Sequence, residues 1–130
     1  MTPPRIVLAA LGIAVALAAA AASTAETVIV VQRSPLAGFR HYDGPELWGE
    51  LKAGDRLELV REPENPYDSG AIRVEWRGRK LGYIPRRDNA AVGRQLDRGT
   101  PLEARVAVLR QNRNRSVRIE FEITAPLQSQ

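Results

Sequence analysis

Short, separated runs in which apolar and polar side chains alternate recur along this chain, and they constrain its fold more than any other feature. Ala71 to Trp76 places Ile72, Val74 and Trp76 on one face, and Ser116 to Thr124 does the same with Val117, Ile119, Phe121 and Ile123. Leu102 to Arg110 sets Leu102, Ala104, Val106 and Val108 against Glu103, Arg105 and Ala107. A period of two puts every second side chain on one side of an extended strand, so each run predicts a strand with one buried face. Arg56 to Arg61 repeats the pattern with Leu57 and Leu59, Lys80 to Ile84 supplies a further strand, and the β-branched run Thr27 to Gln32 is the first. Ser34, Pro35, Ala37 and Gly38 are expected to end that first strand. Phe39 to Glu50 reads as an ordered loop with room for a helical turn.

The connections between these runs carry turn chemistry. Arg77, Gly78 and Arg79 make a tight link that pairs two strands as a hairpin, and Asn112 to Asn114 makes a second. Glu62 to Gly70 is a loop of Pro, Asn, Asp, Ser and Gly, in which Asn65 and Pro66 suit the first places of a β-turn and Asp68 can cap it from the other end. Asp88 or Asn89 is expected to cap a helix running to about Arg98, with Val92 and Leu96 on its buried side and Gly99 just past its end. Six short strands around one or two short helices, with no βαβ repetition, define a mainly β fold: a small antiparallel barrel or curled sheet. Residues 127–130 are expected to be a disordered tail.

At 130 residues the chain has room for one domain. Ile6 to Ala22 is uncharged and follows Arg5, the order of a secretory signal peptide, and Ser23, Thr24 and Ala25 offer a cleavage site after Ala25. The expectation is a signal over 1–25, a domain over 26–126, and a periplasmic or secreted location. Left uncleaved, the same apolar run would anchor the protein in a membrane. Cysteine is absent, so stability rests on packing, and with His41 as the one imidazole the ligands of a zinc site are missing. No metal or other cofactor is expected. His41 also has no Ser or Cys partner at a recognisable spacing, so no acid, base and nucleophile set can be assembled, and no catalytic residue is expected. Trp48 and Trp76 are read as packing residues.

Charge is unevenly distributed. Glu26 to Gly70 holds 5 basic and 9 acidic residues, a net of −4, whereas Ala71 to Gln130 holds 13 basic and 6 acidic, a net of +7. Nearly all of the basic residues are Arg, which fits phosphate recognition by the forked guanidinium and fits equally a genome that favours Arg and Ala.

The stretch REPENPYDSGAIRVEWRGRKLGYIP, Arg61 to Pro85, preceded by AGFRHYDG at Ala37 to Gly44, resembles the HIRAN family. The shared parts are a Gly-x-Arg-x-Tyr entry loop, an Arg-x-Pro-x-Asn-x-Tyr-Asp turn, an Ala-Ile-x-Val strand and a Gly-Tyr-Ile-Pro strand, in that order over about Thr27 to Ile123. The resemblance implies a barrel-like module related to OB and SH3 folds. It also implies a non-catalytic binding role, because in Swi/Snf-type DNA-repair translocases such domains capture the 3′ end of single-stranded DNA. Carried over by position, Arg40 would contact phosphate, Tyr67 would stack on a base, Asp68 would accept the 3′-hydroxyl and Asn65 would orient the turn, with His41, Tyr42 and Tyr83 completing the nucleic-acid-binding set. In this chain His41 stands where DNA-capturing members carry an aromatic. Asp43, Glu46, Glu50, Glu62, Glu64 and Asp68 neighbour the pocket in sequence; Arg73, Arg77, Arg79, Lys80, Arg86 and Arg87 would offset them if the hairpin and helix start fold beside it. The expected partner is therefore single-stranded nucleic acid. The alternative is an envelope protein, bound by a scaffold that has lost DNA binding.

Overall fold

The computed structural model describes residues 1–4 and 27–127. The apolar segment 6–22 and the cleavage site after Ala25 lie outside the described residues, as do 128–130.

Six antiparallel strands form one sheet: β1 (Val28–Pro35), β2 (Arg56–Arg61), β3 (Ile72–Trp76), β4 (Arg79–Tyr83), β5 (Glu103–Gln111) and β6 (Val117–Pro126), in the order β1-β6-β5-β2-β3-β4. Two short helices, α1 (Gly44–Leu47) and α2 (Ala90–Asp97), and two single 3-10 turns, Phe39–His41 and Arg86–Asp88, fill the connections. This is the mainly β, barrel-like fold expected from the alternating runs. The two outer strands are joined by a seam at Ala37 and Tyr83, whose N–H groups each donate to the other's carbonyl at 2.9 Å. A sheet whose edges meet leaves no open ladder there for stray pairing.

The alternating faces meet inside. Phe121, Ile123, Ile72, Val74 and Leu81 are fully buried, joined by Leu57, Ala104, Val106, Ile119 and Trp76, while Val92 and the partly buried Leu96 bring α2 against them. Each large side chain removed from water in this way contributes roughly 2 kcal/mol. Phe39, from the first 3-10 turn, also reaches the core and meets Trp48 edge to face, ring centres 5.9 Å apart.

Three expectations are corrected. β1 does not stop at Gln32: Ser34 and Pro35 pair with Phe121 and Glu120, and Ser34 is buried. Proline is tolerated because β1 has a partner on one side only, so the missing N–H costs no ladder bond. The alternation of β5 breaks at a bulge between Val106 and Val108, which rotates the strand so that Leu109, not Val108, packs on the core. Asn89 precedes α2 but makes no capping bond; its amide donates instead to Asp68 Oδ2 at 2.9 Å. The Leu127 N–H donates to the Thr27 carbonyl at 3.1 Å.

Candidate functional site

The loop from Glu62 to Ala71 is built almost wholly from its own hydrogen bonds. Asn65 Oδ1 accepts from the N–H groups of Tyr67 at 2.9 Å and Asp68 at 3.2 Å, an Asx turn, and Asn65 Nδ2 donates to Glu62 Oε1 at 2.9 Å. Asp68 Oδ1 accepts from the Gly70 N–H at 2.8 Å while Oδ2 takes the Asn89 amide. Arg61 donates to the carbonyls of Ser69 and Ala71 at 3.0 and 3.2 Å and pairs with Asp97 on α2 at 3.0 Å. The result is a rigid turn that holds Tyr67 outward, 87% exposed. Asp68 uses one acceptor site on each oxygen internally, and an ionised carboxylate has others.

Opposite stands the entry loop. Gly38 adopts φ 79, a left-handed conformation that glycine takes without strain, and a Cβ there would lie 3.1 Å from the Tyr42 ring. The loop is pinned to β4 by the Asp43 N–H, which donates to the Lys80 carbonyl at 3.1 Å, and by Arg79, which pairs with Asp43 at 2.9 Å and Glu46 at 3.0 Å. Tyr42 thereby meets Tyr83 edge to face at 5.7 Å. Between them sits Lys80, its Nζ 3.9 Å from the Tyr42 ring centre and 4.4 Å from that of Tyr83, donating to the Tyr83 hydroxyl at 2.7 Å. Lys80 and Tyr83 are three apart, so simple alternation would send them to opposite faces; a register shift in the β3–β4 pairing brings them together.

These parts enclose an open cleft of about 470 Å³ whose walls include Tyr42, Asn65, Tyr67, Asp68 and Tyr83, with Lys80 and Arg86 as cations and Pro66, Ile84 and Pro85 as apolar floor. Five of the seven residues implied by the resemblance therefore converge. Arg40 and His41 do not: they line a separate hollow beside Trp48 and the β5–β6 hairpin. The 3-10 turn is the reason, since three residues per turn send successive side chains in directions roughly 120° apart. Of the six cations expected to offset the acidic residues, Lys80 and Arg86 line the cleft, brought there by the register shift and the chain path after Pro85.

Three of the six acidic residues near the pocket, Asp43, Glu46 and Glu62, are paired with arginines. Glu62 is bonded by Asn65, by the Tyr83 hydroxyl at 2.9 Å and by Arg73 at 2.7 Å, and Arg73 also holds Glu75 at 2.7 Å. Of the six cations expected beside the pocket, Arg73 and Arg79 serve these pairs, Arg77 lies over the Trp76 ring at 4.4 Å, Arg87 pairs with Asp88, and Lys80 and Arg86 face the cleft. Burial pushes the Glu62 carboxyl up, but the hydrogen bonds from Asn65, Tyr83 and Arg73 and the Arg73 charge outweigh it, so its pKa falls below the ordinary 4.5. Burial and the adjacent Glu62 raise the Tyr83 phenol above 10.0, so it stays protonated and donating.

A group whose folded pKa is depressed adds stability above its unfolded value and loses it as pH falls through the folded one. The Glu62 network should therefore be intact at neutral pH and weaken below about pH 4.5. Urea unfolding across that range is expected to show a falling midpoint, and Glu62→Gln should flatten part of the fall. An equally steep fall in that variant would exclude Glu62 as a contributor.

Together, the fold and the cleft define a small closed β-barrel domain with an aromatic, cation-bearing surface recess. The HIRAN domain model matches residues 29–128, and the chain belongs to the HIRAN domain family. Two solved structures share the fold: a protein from Lactobacillus plantarum, 28% identical with a TM-score of 0.62 over 75% of this chain and 97% of that one, and the HIRAN domain of human HLTF, 22% identical with a TM-score of 0.60 over 75% of this chain and 78% of that one. No curated protein matches the chain in sequence.

Proposed function

We propose that this protein is a non-catalytic nucleic-acid-binding module that takes the free 3′ end of a single strand into the tyrosine cleft. Membership of the HIRAN family supports the coarse reading, and the chemistry of the cleft supports the finer one. The observation that carries it is Tyr67, an exposed aromatic on a turn fixed by internal hydrogen bonds, facing Tyr42 and Tyr83 across a recess containing Lys80 and Asp68. A large ring left in water on a rigid support is a stacking platform, and stacking tolerates any base. Lys80 and Arg86 offer the positive charge a phosphate needs, and Asp68 can accept from a terminal hydroxyl, which an internal nucleotide lacks.

Fluorescence anisotropy of the full chain with single-stranded oligonucleotides bearing a free 3′-hydroxyl or a 3′-phosphate tests this. The free end is expected to bind several-fold more tightly; equal and negligible binding to both would overturn the reading. An exported location, from the signal expected over 1–25, belongs to the same proposal. It is checked by recovering a protein that begins at Glu26 from the cell envelope.

A further inference from the structure

Three local choices in the β5–β6 hairpin run against what a stable hairpin favours. Residues 110–118 carry Arg110, Arg113, Arg115 and Arg118 and no acidic residue. Arg110 and Arg118 are direct cross-strand partners, a like-charge pairing that weakens a sheet. Arg115 occupies a left-handed position, φ 63, in a turn closed by its own N–H to the Asn112 carbonyl at 2.9 Å and by the Asn112 N–H to the Ser116 carbonyl at 2.8 Å. Glycine or asparagine is the usual occupant of such a position. Among the described residues none of these four arginines pairs with a carboxylate, whereas Arg61, Arg73, Arg79 and Arg105 all do. Local rules broken with no internal gain point to a role outside the hairpin.

The hairpin tip also faces the entry turn across a hollow of about 800 Å³, whose wall contains Arg40, His41, Trp48 and Asn114, of the hairpin arginines only Arg115, and no carboxylate; Arg110 and Arg118 stand on the outer face of the hairpin beside it. One short turn separates the two recesses: Tyr42 lines the tyrosine cleft, while Arg40 and His41 line the hollow. An occupant of the cleft that continues past this turn enters a space with cations on both sides and an indole at its base.

We propose that the hairpin arginines, with Arg40, hold the phosphates of the strand whose 3′ end lies in the cleft, and that its following bases enter the hollow against Trp48. This rests on the end-binding reading of the cleft. The ligand is then a single strand several nucleotides long, and its affinity depends on length and salt through contacts that the terminal nucleotide does not make.

The test is anisotropy of the full chain with 5′-labelled oligothymidines of about 3 and about 12 nucleotides, between roughly 50 and 200 mM salt. The triple variant Arg110→Gln, Arg115→Gly, Arg118→Gln is expected to bind the short strand like the wild type and to lose about tenfold on the long one, with its salt slope reduced by about 2, or about 0.7 for each phosphate contact removed. Because glycine relieves the left-handed position, the thermal midpoint of the variant should not drop, which separates lost contacts from lost folding. Wild-type affinity and slope on the long strand would overturn the inference. If Tyr67→Ala weakens both lengths while the triple variant changes neither, the cleft reading stands and the hairpin inference falls; if the wild type binds neither length, both fall. Binding of phosphatidylglycerol vesicles by the wild type but not the triple variant, with long-strand affinity equal in the two, would assign the arginines to a membrane surface and overturn the inference as well.

Discussion

Gly82→Ala is expected to destabilise the domain by on the order of 3 kcal/mol, the upper part of the range for overpacking a well-packed site. A Cβ at position 82 would stand 2.2 Å from the Ala37 carbonyl oxygen, and the contact is with backbone rather than with a movable side-chain end. That oxygen accepts the Tyr83 N–H, one of the two bonds closing the barrel, so relief of the clash moves the seam itself. Gly49→Ala is the matched control, because its added Cβ meets nothing within 4 Å; a change within about 0.5 kcal/mol is expected there. Urea unfolding of the two variants side by side checks this. Equal midpoints would mean that the Ala37–Tyr83 contact does not hold the barrel shut. Loss of the seam would also separate Tyr83 from the entry loop, so any fraction of Gly82→Ala that remains folded should bind poorly.

Tyr67→Ala is expected to behave in the opposite way, keeping stability and losing ligand. At 87% exposure the ring has almost no packing to lose, and the turn is held by the Tyr67 backbone N–H rather than by its side chain. Stacking of a base on an aromatic contributes about 1–3 kcal/mol, so affinity for a free-ended strand should fall roughly 5- to 150-fold. Tyr67→Phe retains the ring face and should bind nearly as the wild type does. Unchanged affinity in Tyr67→Ala would remove the platform from the site and with it the main support for end binding.

Both outcomes turn on placement, and placement was only partly legible in the sequence. The faces of β3 and β6 could be read because each alternates without interruption through the core: Ile72, Val74 and Trp76 in one, Ile119, Phe121 and Ile123 in the other. The Asn65 turn could be read because an Asn side chain two residues ahead of an N–H is a local device that needs no partner from elsewhere. Bulges defeat this kind of reading. One extra residue in β5 moved Leu109 to the core in place of Val108, and a register shift between β3 and β4 set Lys80 beside Tyr83. Neither leaves a mark in the composition of its strand.

Charge shows the same division. In sequence, Asp43, Glu46, Glu50, Glu62, Glu64 and Asp68 crowd the entry loop and turn. In three dimensions Arg79, drawn from 36 residues away, answers Asp43, and Arg73 answers Glu62, while Lys80 and Arg86 remain to face the cleft. A linear count of charges carries no such pairing.

By itself the sequence determined the faces of β3 and β6, the rigid turn that presents Tyr67 and the family to which the chain belongs, because these depend on neighbours two to five positions apart. Only the tertiary structure decided which recess each residue lines. It brought Tyr42, Tyr67, Asp68 and Tyr83 to one cleft and sent Arg40 and His41 to another, through a 3-10 turn, a register shift and a seam between the outermost strands. Those are long-range features of a closed sheet, where the position of each strand is fixed by the packing of the others.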